Sequence, residues 1–221
     1  MSAGESETNI TETLLICQTS DWPVERYVSS GSDPVVDRTD LLERQKISMW
    51  ESLAAYTTPE IQRVVEFAKR IPNFTDLIQE HQLVLIKTGF FELWLIRMAR
   101  MFNPQFCTIT LSDGEIICRD QLEIIYNTDL VRSIFQFASG FNDLHLNDGE
   151  IGLFCAVVLL APDRVGLSDA RAVEAQQEKL IEALKLQLSR NHSSDPQLFS
   201  NLIMKLSELR TVGKFSWSVS F

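Results

Sequence analysis

Three histidines and four cysteines are the side chains best suited to catalysis or metal binding, and their spacing assembles neither kind of site. His81, His145 and His192 lie far apart and have no cysteine or acid at ligand spacing. The sequence contains no C-x-x-C pair, G-x-S-x-G elbow or glycine-rich phosphate loop. Enzymatic function therefore has no positive support, and we expect the protein not to be an enzyme.

Cys17 differs from the other cysteines because it adjoins a loop-like segment that contains Pro23, Pro34 and the run Ser29-Ser30-Gly31-Ser32. A thiolate in such a place can bind a metal ion or a haem iron. An inert thiol is the simpler interpretation, and the residues alone leave both open.

Four basic side chains suggest binding chemistry. Arg97 and Arg100 lie inside the most apolar run of the chain, three residues apart and so on one side of a helix. A buried arginine needs a partner, so we expect them either to form a structural ion pair or to bind an acidic head group of a ligand. Lys69 and Lys87 end two consecutive predicted helices. They either stabilise the helix C-termini or flank a groove that accepts an amphipathic partner helix.

The composition limits the class of protein. A formal net charge of −10 over 221 residues argues against a basic nucleic-acid surface. No linker separates two apolar blocks, so we predict one domain over residues 9–221 after a disordered lead of residues 1–8. Residues 19–38 are expected to form a flexible loop. The first residues are polar and acidic, so we do not expect a signal peptide there, and the few cysteines suit a reducing compartment.

The element that organises the prediction is the apolar run from His81 to Phe102, which is long enough for about six helical turns. Charged side chains interrupt it at four positions: Lys87, Glu92, Arg97 and Arg100. Because charges are costly at the centre of a bilayer, we predict a helix buried in a protein core rather than in a membrane. The run Gly149 to Leu160 predicts a second buried layer.

The remaining patterns complete an all-α prediction. Thr57-Thr58-Pro59-Glu60 is typical of a helix start, so a helix either begins at residue 59 or is kinked there. Residues 107–111 and 115–118 predict a β-hairpin about an Asp-Gly turn. Amphipathic helices are predicted over residues 168–190 and 198–212. The predicted fold is a three-layer antiparallel helical sandwich of about nine helices with one small β-hairpin.

Several segments, in one consistent order, resemble the ligand-binding domains of nuclear receptors. VVEFAKRIPNF (64–74) and LIKTGFFELWLIRMARMF (85–102) are similar to that signature's Phe-Ala-Lys helix end and the helix after it, although His81 replaces the usual Asp. LNDGEIGLFCAVVLLAPDRVGL (146–167) and FSNLIMKLSELRTV (199–212) resemble later helices of the family. The resemblance covers residues 45–212.

Within the superfamily, the chain resembles the Rev-erb group with its insect ecdysone-induced relatives, and after these the retinoic-acid-related orphan receptors. The supporting segments include EFAKRIPNF (66–74) and MKLSELR (204–210). The resemblance implies a ligand-responsive regulator of transcription in the nucleus, a repressor that recruits corepressors. It also implies haem as a ligand, held by a cysteine and a histidine.

The resemblance assigns roles to individual residues. It implies a ligand pocket lined by Trp50, Leu53, Thr57, Val64, Phe91, Trp94 and Met98. It implies a corepressor groove flanked by Lys69 and Lys87, and it makes Cys17 the haem ligand. Ser216 stands where the family's haem histidine is expected.

The last segment, residues 213–221, does not resemble the family. We therefore expect a domain truncated at its C-terminal helices, with impaired dimerisation through the last helix. The chain contains no zinc-finger domain, so by itself it is expected to bind neither DNA nor a membrane. The alternative function is a ligand-free interaction module, whose pocket is filled by its own Phe90, Phe91 and Trp94.

Overall fold

The computed structural model describes residues 38–110, 114 and 116–218. The chain divides into two compact units, Met1–Gln62 and Arg63–Phe221. Cys17, the lead of residues 1–8 and nearly all of the loop predicted at 19–38 lie outside the described residues. The predicted domain limits stay predictions.

Helix α1, Arg38–Arg70, is one helix that includes Pro59, so of the two predicted alternatives the new helix start at residue 59 is wrong and the longer helix is right. A proline inside a helix removes one backbone hydrogen bond and crowds the preceding turn, but it does not oblige the helix to end. Lys69 and Arg70 occupy the last turn, where positive charge complements the helix dipole. Asn73, with φ 61°, and the 3₁₀ turn Phe74–Asp76 then redirect the chain.

Helix α2, Gln79–Arg100, is the predicted central helix. Its apolar side chains are buried almost all round, from Leu85 to Ala99. It packs against three later helices: α4 (Thr128–Asn142), α5 (Asp148–Leu159) and α7 (Leu198–Ser218). Within the unit that begins at Arg63, α2 therefore has neighbours on several sides, as a helix without a polar face requires.

Side-chain caps fix where two of these helices begin. Asn127 Oδ1 accepts a hydrogen bond from the backbone N–H of Leu130 at the start of α4. Asn147 and Glu150 form a reciprocal capping box at the start of α5. The other helices are α3 (Arg119–Ile125) and α6 (Arg171–Asn191). Helix α7 extends to Ser218, six residues beyond its predicted end at Val212.

A small antiparallel sheet connects α2 to α3. Strand β2 (Thr108–Thr110) pairs with β3 (Ile116–Cys118) in the register Ile109 opposite Ile117, which confirms the predicted hairpin. A third strand, β1 (Phe102–Asn103), pairs with β2 and was not predicted from the sequence. Two residues are too few to show the alternation by which strands are recognised in sequence.

The predicted class is confirmed: the described residues form seven α-helices, one 3₁₀ helix and one three-stranded sheet. Among the described helices, none has a stretch long and apolar enough to cross a bilayer.

Candidate functional site

Three of the predicted pocket residues form an apolar stripe along one side of α2: Phe91, Trp94 and Met98. Their spacing of three and four residues brings them onto one side of the helix. The rings of Phe91 and Trp94 are in contact, with centroids 5.5 Å apart. Glu92, which contacts the segment after α5, lies about 200° around the helix axis from Trp94. The stripe therefore faces away from the α5 side of α2.

Trp94 carries a polar atom for which the described part of the structure offers no partner. Its side chain is almost completely buried, and Nε1 has no hydrogen-bond partner among the described residues. A buried donor without an acceptor costs about 1–3 kcal/mol. Met98 is also buried, while Phe91 is half-buried at the edge of the stripe.

The other predicted pocket residues lie on α1. Val64 is buried within the unit that begins at Arg63. Thr57 is half-buried in the unit that ends at Gln62. Trp50 and Leu53 lie in the helix, but their side chains are outside the described part of the structure. Of the seven predicted residues, the described contacts thus join Phe91 and Trp94.

Lys69 and Lys87 are both half-buried. Lys69 lies on the last turn of α1 as predicted, but Lys87 lies inside α2, so the prediction that it ends a helix is wrong. Lys69 Nζ lies 3.4 Å from Glu66 Oε1, one turn earlier in α1. Leu83 precedes Lys87 by one turn on α2 and is half-buried. Ile78, immediately before α2, is 55% exposed. This part of the surface combines two cations with apolar side chains that water reaches.

Side-chain hydrogen bonds hold the start of α2 in place. Gln82 Nε2 donates to the carbonyl of Leu77 at 2.7 Å and to that of Thr75 at 3.3 Å. His81, which is buried, has its Nε2 2.9 Å from Ser168 Oγ. The 3₁₀ turn before α2 is thereby tied to the first turn of α2, and that first turn is tied to the segment after α5.

The buried charge on α2 is Glu92, not the two arginines named from the sequence. Arg164 donates to Glu92 Oε1 at 3.0 Å and to Oε2 at 2.6 Å, and both side chains are buried. Arg210 of α7 donates to Glu92 Oε1 at 2.9 Å and to Asp163 at 3.0 Å. Arg164 also donates to the carbonyls of Thr88 and Val158. We call these side chains, Glu92, Arg164, Arg210 and Asp163, the Glu92 network.

The prediction that Arg97 and Arg100 are buried is wrong, because both are exposed. They lie in the last turn of α2, where a long side chain reaches water beyond the apolar surface. Arg100 pairs with the exposed Asp148 at the start of α5. The ligand head-group interpretation of these arginines has no support from burial.

A second buried carboxylate, Glu150, joins α5 to the end of α6. It accepts hydrogen bonds from Asn191 Nδ2 at 2.8 Å and from the backbone N–H of Asn147 at 2.9 Å, and His192 Nε2 lies 3.0 Å away. Burial alone would raise the pKa of Glu150. The hydrogen bonds and the nearby His192 more than offset it, so that the pKa lies below its ordinary value.

The contacts of His81 and His192 and the burial of Cys155 give no support to a haem site among the described residues. His81 and His192 are engaged with Ser168 and Glu150, and His145 is exposed. Burial raises the pKa of the Cys155 thiol to about 12, which disfavours the thiolate that would bind iron. Within the described residues no group of three metal-binding side chains comes together. Haem ligation by Cys17 lies outside the described residues.

The chain is similar to several known proteins. The family model described as the ligand-binding domain of nuclear hormone receptor matches residues 39–214. Ecdysone-induced protein 78C of Drosophila melanogaster is 47% identical over 175 residues, 78% of this chain and 20% of that protein. Nuclear receptor subfamily 1 group D member 2 of Rattus norvegicus is 41% identical over 164 residues, 74% of this chain and 28% of that protein. Nuclear hormone receptor E75 of Metapenaeus ensis is 43% identical over 155 residues, 70% and 26% respectively.

The chain thus spans about a fifth to a quarter of the length of these relatives. The matched region contains α2, the Glu92 network and the sheet, and it includes all the segments that resemble the family. The chain therefore belongs to the ligand-binding domains of nuclear hormone receptors, of the type found in the Rev-erb and ecdysone-induced receptors.

Proposed function

We propose that this domain is a ligand-responsive regulator of transcription that acts in the nucleus and represses by recruiting a corepressor. The observation that carries the proposal is the family membership, together with two half-buried lysines beside apolar side chains that water reaches. The repressor part rests on the resemblance to the Rev-erb group. The chain by itself is proposed to bind neither DNA nor a membrane.

The proposed docking surface is flanked by Lys69 and Lys87, with Leu83 and Ile78 as apolar contacts. An amphipathic helix would place its apolar side on Leu83 and Ile78. The carbonyls at the C-terminus of a helix have no partner within the helix, and a lysine ammonium can donate to them. The salt bridge of Lys69 with Glu66 is exposed, so exchanging it for a partner's carbonyl loses little.

Lys69→Ala and Lys87→Ala test this surface. We expect the double variant to bind a fluorescein-labelled corepressor peptide about thirtyfold more weakly in fluorescence anisotropy, since it loses two hydrogen bonds that are each worth on the order of 1 kcal/mol. Lys179→Ala, which removes an exposed lysine on α6, is the matched control and should leave the affinity unchanged. Unchanged affinity in the double variant would refute this docking surface.

The proposed ligand is a largely apolar molecule held against the stripe of Phe91, Trp94 and Met98. Buried apolar side chains with few polar atoms are typical of small-molecule sites in proteins. Haem is the more specific form of this proposal. It rests on Cys17 and the Rev-erb resemblance, because the described residues supply no second ligand that fits haem.

Haem binding is tested by titrating the purified chain with haemin and following the Soret absorbance band. If Cys17 ligates the iron, the wild type gives a saturable band and Cys17→Ala shifts it, since the thiolate ligand is lost. Cys107→Ala, which removes an exposed thiol of the sheet region, should leave the band unchanged. A band that is the same in all three proteins would contradict ligation by Cys17.

The alternative function is a ligand-free module that only binds protein partners. It is supported by the burial of Phe90 and Trp94, two large side chains that could fill the pocket themselves. The two functions differ in one measurable respect: the ligand-free module binds the corepressor peptide but takes up no small apolar molecule.

A further inference from the structure

We propose that the Trp94 indole N–H is a specificity-determining donor for the ligand, so that this domain selects apolar molecules that carry a hydrogen-bond acceptor, such as a carbonyl oxygen. The inference rests on the proposed ligand-binding function and adds the polar group that the ligand must have. It starts from an observation that the family membership does not explain: Nε1 of a buried tryptophan has no hydrogen-bond partner among the residues that the structure describes.

The fold offers this N–H no acceptor within the stripe. Phe91 and Met98, one turn away on either side, have no oxygen or nitrogen in their side chains. The carbonyls of α2 near Trp94 accept the backbone hydrogen bonds of a continuous helix. Buried tryptophan N–H groups in proteins usually do have a partner. Since no described residue supplies the acceptor, we infer that a bound molecule does.

The chemistry of indole narrows the ligand class. Nε1–H is a donor only, so a ligand group that only donates, such as an ammonium, cannot satisfy it. A pure hydrocarbon ligand has no acceptor, so the free-energy cost of the buried N–H would remain. A carbonyl or ether oxygen on an otherwise apolar body satisfies the donor and also covers Phe91 and Met98. One buried donor in an apolar stripe also fixes the orientation of the ligand.

Two matched probes separate the donor from the apolar stripe. Prodan is an aminonaphthalene with a propionyl carbonyl, and its propyl analogue has CH₂ in place of that C=O. Each is titrated by fluorescence into the whole chain as wild type, as Trp94→Phe, which keeps an aromatic ring but removes the N–H, and as Phe91→Leu. Far-UV circular dichroism checks that each variant is folded.

We expect Trp94→Phe to weaken prodan binding about three- to tenfold, as the loss of one hydrogen bond predicts, and to leave binding of the propyl analogue roughly unchanged. The emission of bound prodan should shift to the blue in this variant, because its carbonyl no longer accepts a hydrogen bond. Phe91→Leu, which removes no donor, should weaken both probes alike.

Equal weakening of both probes by Trp94→Phe would overturn the inference, because the indole would then act only by packing, while ligand binding would stand. Failure of the wild type to bind either probe saturably would refute the proposed ligand binding itself, and the inference with it. If Trp94→Phe does not fold, the NMR resonance of the indole N–H in the wild type is followed during titration with each probe and tests the inference instead. It must move with prodan and stay in place with the propyl analogue, and the opposite result would overturn the inference.

Discussion

At the scale of single residues, Glu150 shows how a buried carboxylate is kept ionised. No part of its side chain is exposed, yet backbone and side-chain donors surround it. Because the pKa of Glu150 is lower in the folded protein than its ordinary value of 4.5, the ionised form favours the fold. This stabilisation is present above the ordinary pKa and is lost as the pH falls below it.

Glu150→Gln should therefore lower the free energy of unfolding at pH 7 by roughly 1–3 kcal/mol, because a charged acceptor of three hydrogen bonds is lost. It should also flatten the fall in stability as the pH drops below the ordinary pKa of 4.5, since the carboxylate that takes up a proton there is gone. Urea unfolding at several pH values measures both effects. Asp129→Asn, which changes an exposed carboxylate, is the control. The same acid-induced fall in Glu150→Gln as in the wild type would contradict the assignment.

For single residues, the sequence predicted which side chains are buried better than it predicted which charged side chains pair with each other. The apolar run from His81 to Phe102 predicted a buried helix, and Trp94 and Met98 within it are buried. The sequence assigned the buried charge of α2 to Arg97 and Arg100, because a charge inside an apolar run gives no sign of where the helix ends. Glu92 has its partners 72 and 118 residues further along the chain, and no local pattern records them.

At the scale of elements, two glycines within helices differ in how closely neighbouring elements approach them. In α2, a Cβ on Gly89 would lie 3.0 Å from Leu159 Cδ1 and 3.2 Å from a guanidinium nitrogen of Arg164. In α5, a Cβ on Gly152 would meet nothing within 4 Å. The close approach of α2 to the end of α5 thus requires a glycine at position 89, while position 152 does not.

Gly152→Ala should raise the free energy of unfolding by about 0.5–1 kcal/mol, because alanine is the better helix former. Gly89→Ala has the same intrinsic gain but forces Leu159 and Arg164 to move, so it should be destabilising, by roughly 1–3 kcal/mol. Thermal or urea unfolding of the two variants side by side makes the comparison. A stabilising Gly89→Ala would show that α2 and α5 are less closely packed there than described.

Elements with a distinctive local sequence pattern could be predicted, whereas elements that depend on tertiary contacts could not. Helix α2 was evident from its apolar run, and the β2–β3 hairpin from its turn. Strand β1 is a strand because β2 lies beside it. Pro59 is an effective stop signal in an isolated peptide, but the folded α1 continues through it.

At the scale of the whole molecule, the Glu92 network links α2, the segment after α5, and α7 within one unit. Two arginines share one carboxylate, and Arg164 also satisfies two backbone carbonyls. A buried ion pair adds little relative to an apolar pair, but removing one member leaves the other charged and without compensation.

Arg164→Met should therefore lower the free energy of unfolding by about 3–5 kcal/mol, enough to threaten the fold. Arg132→Ala removes an exposed arginine paired with Asp129 and should cost less than about 1 kcal/mol. Urea unfolding followed by circular dichroism compares the two. If the free energy of unfolding falls by the same small amount in both variants, the Glu92 network does not hold these segments together.

The Glu92 network also has a consequence for the order in which the chain folds. Its contacts join residues 72 and 118 positions apart, so they can form only after long loops have closed. Helices and the β2–β3 hairpin need no such closure and are expected earlier. In a newly made chain, Glu92 is expected to stay hydrated until α7 packs against α2. Arg164 and Arg210 would then replace the water around the carboxylate. Folding of the unit is thus expected to be completed by its last helix, and damage to the network should appear as faster unfolding rather than slower folding.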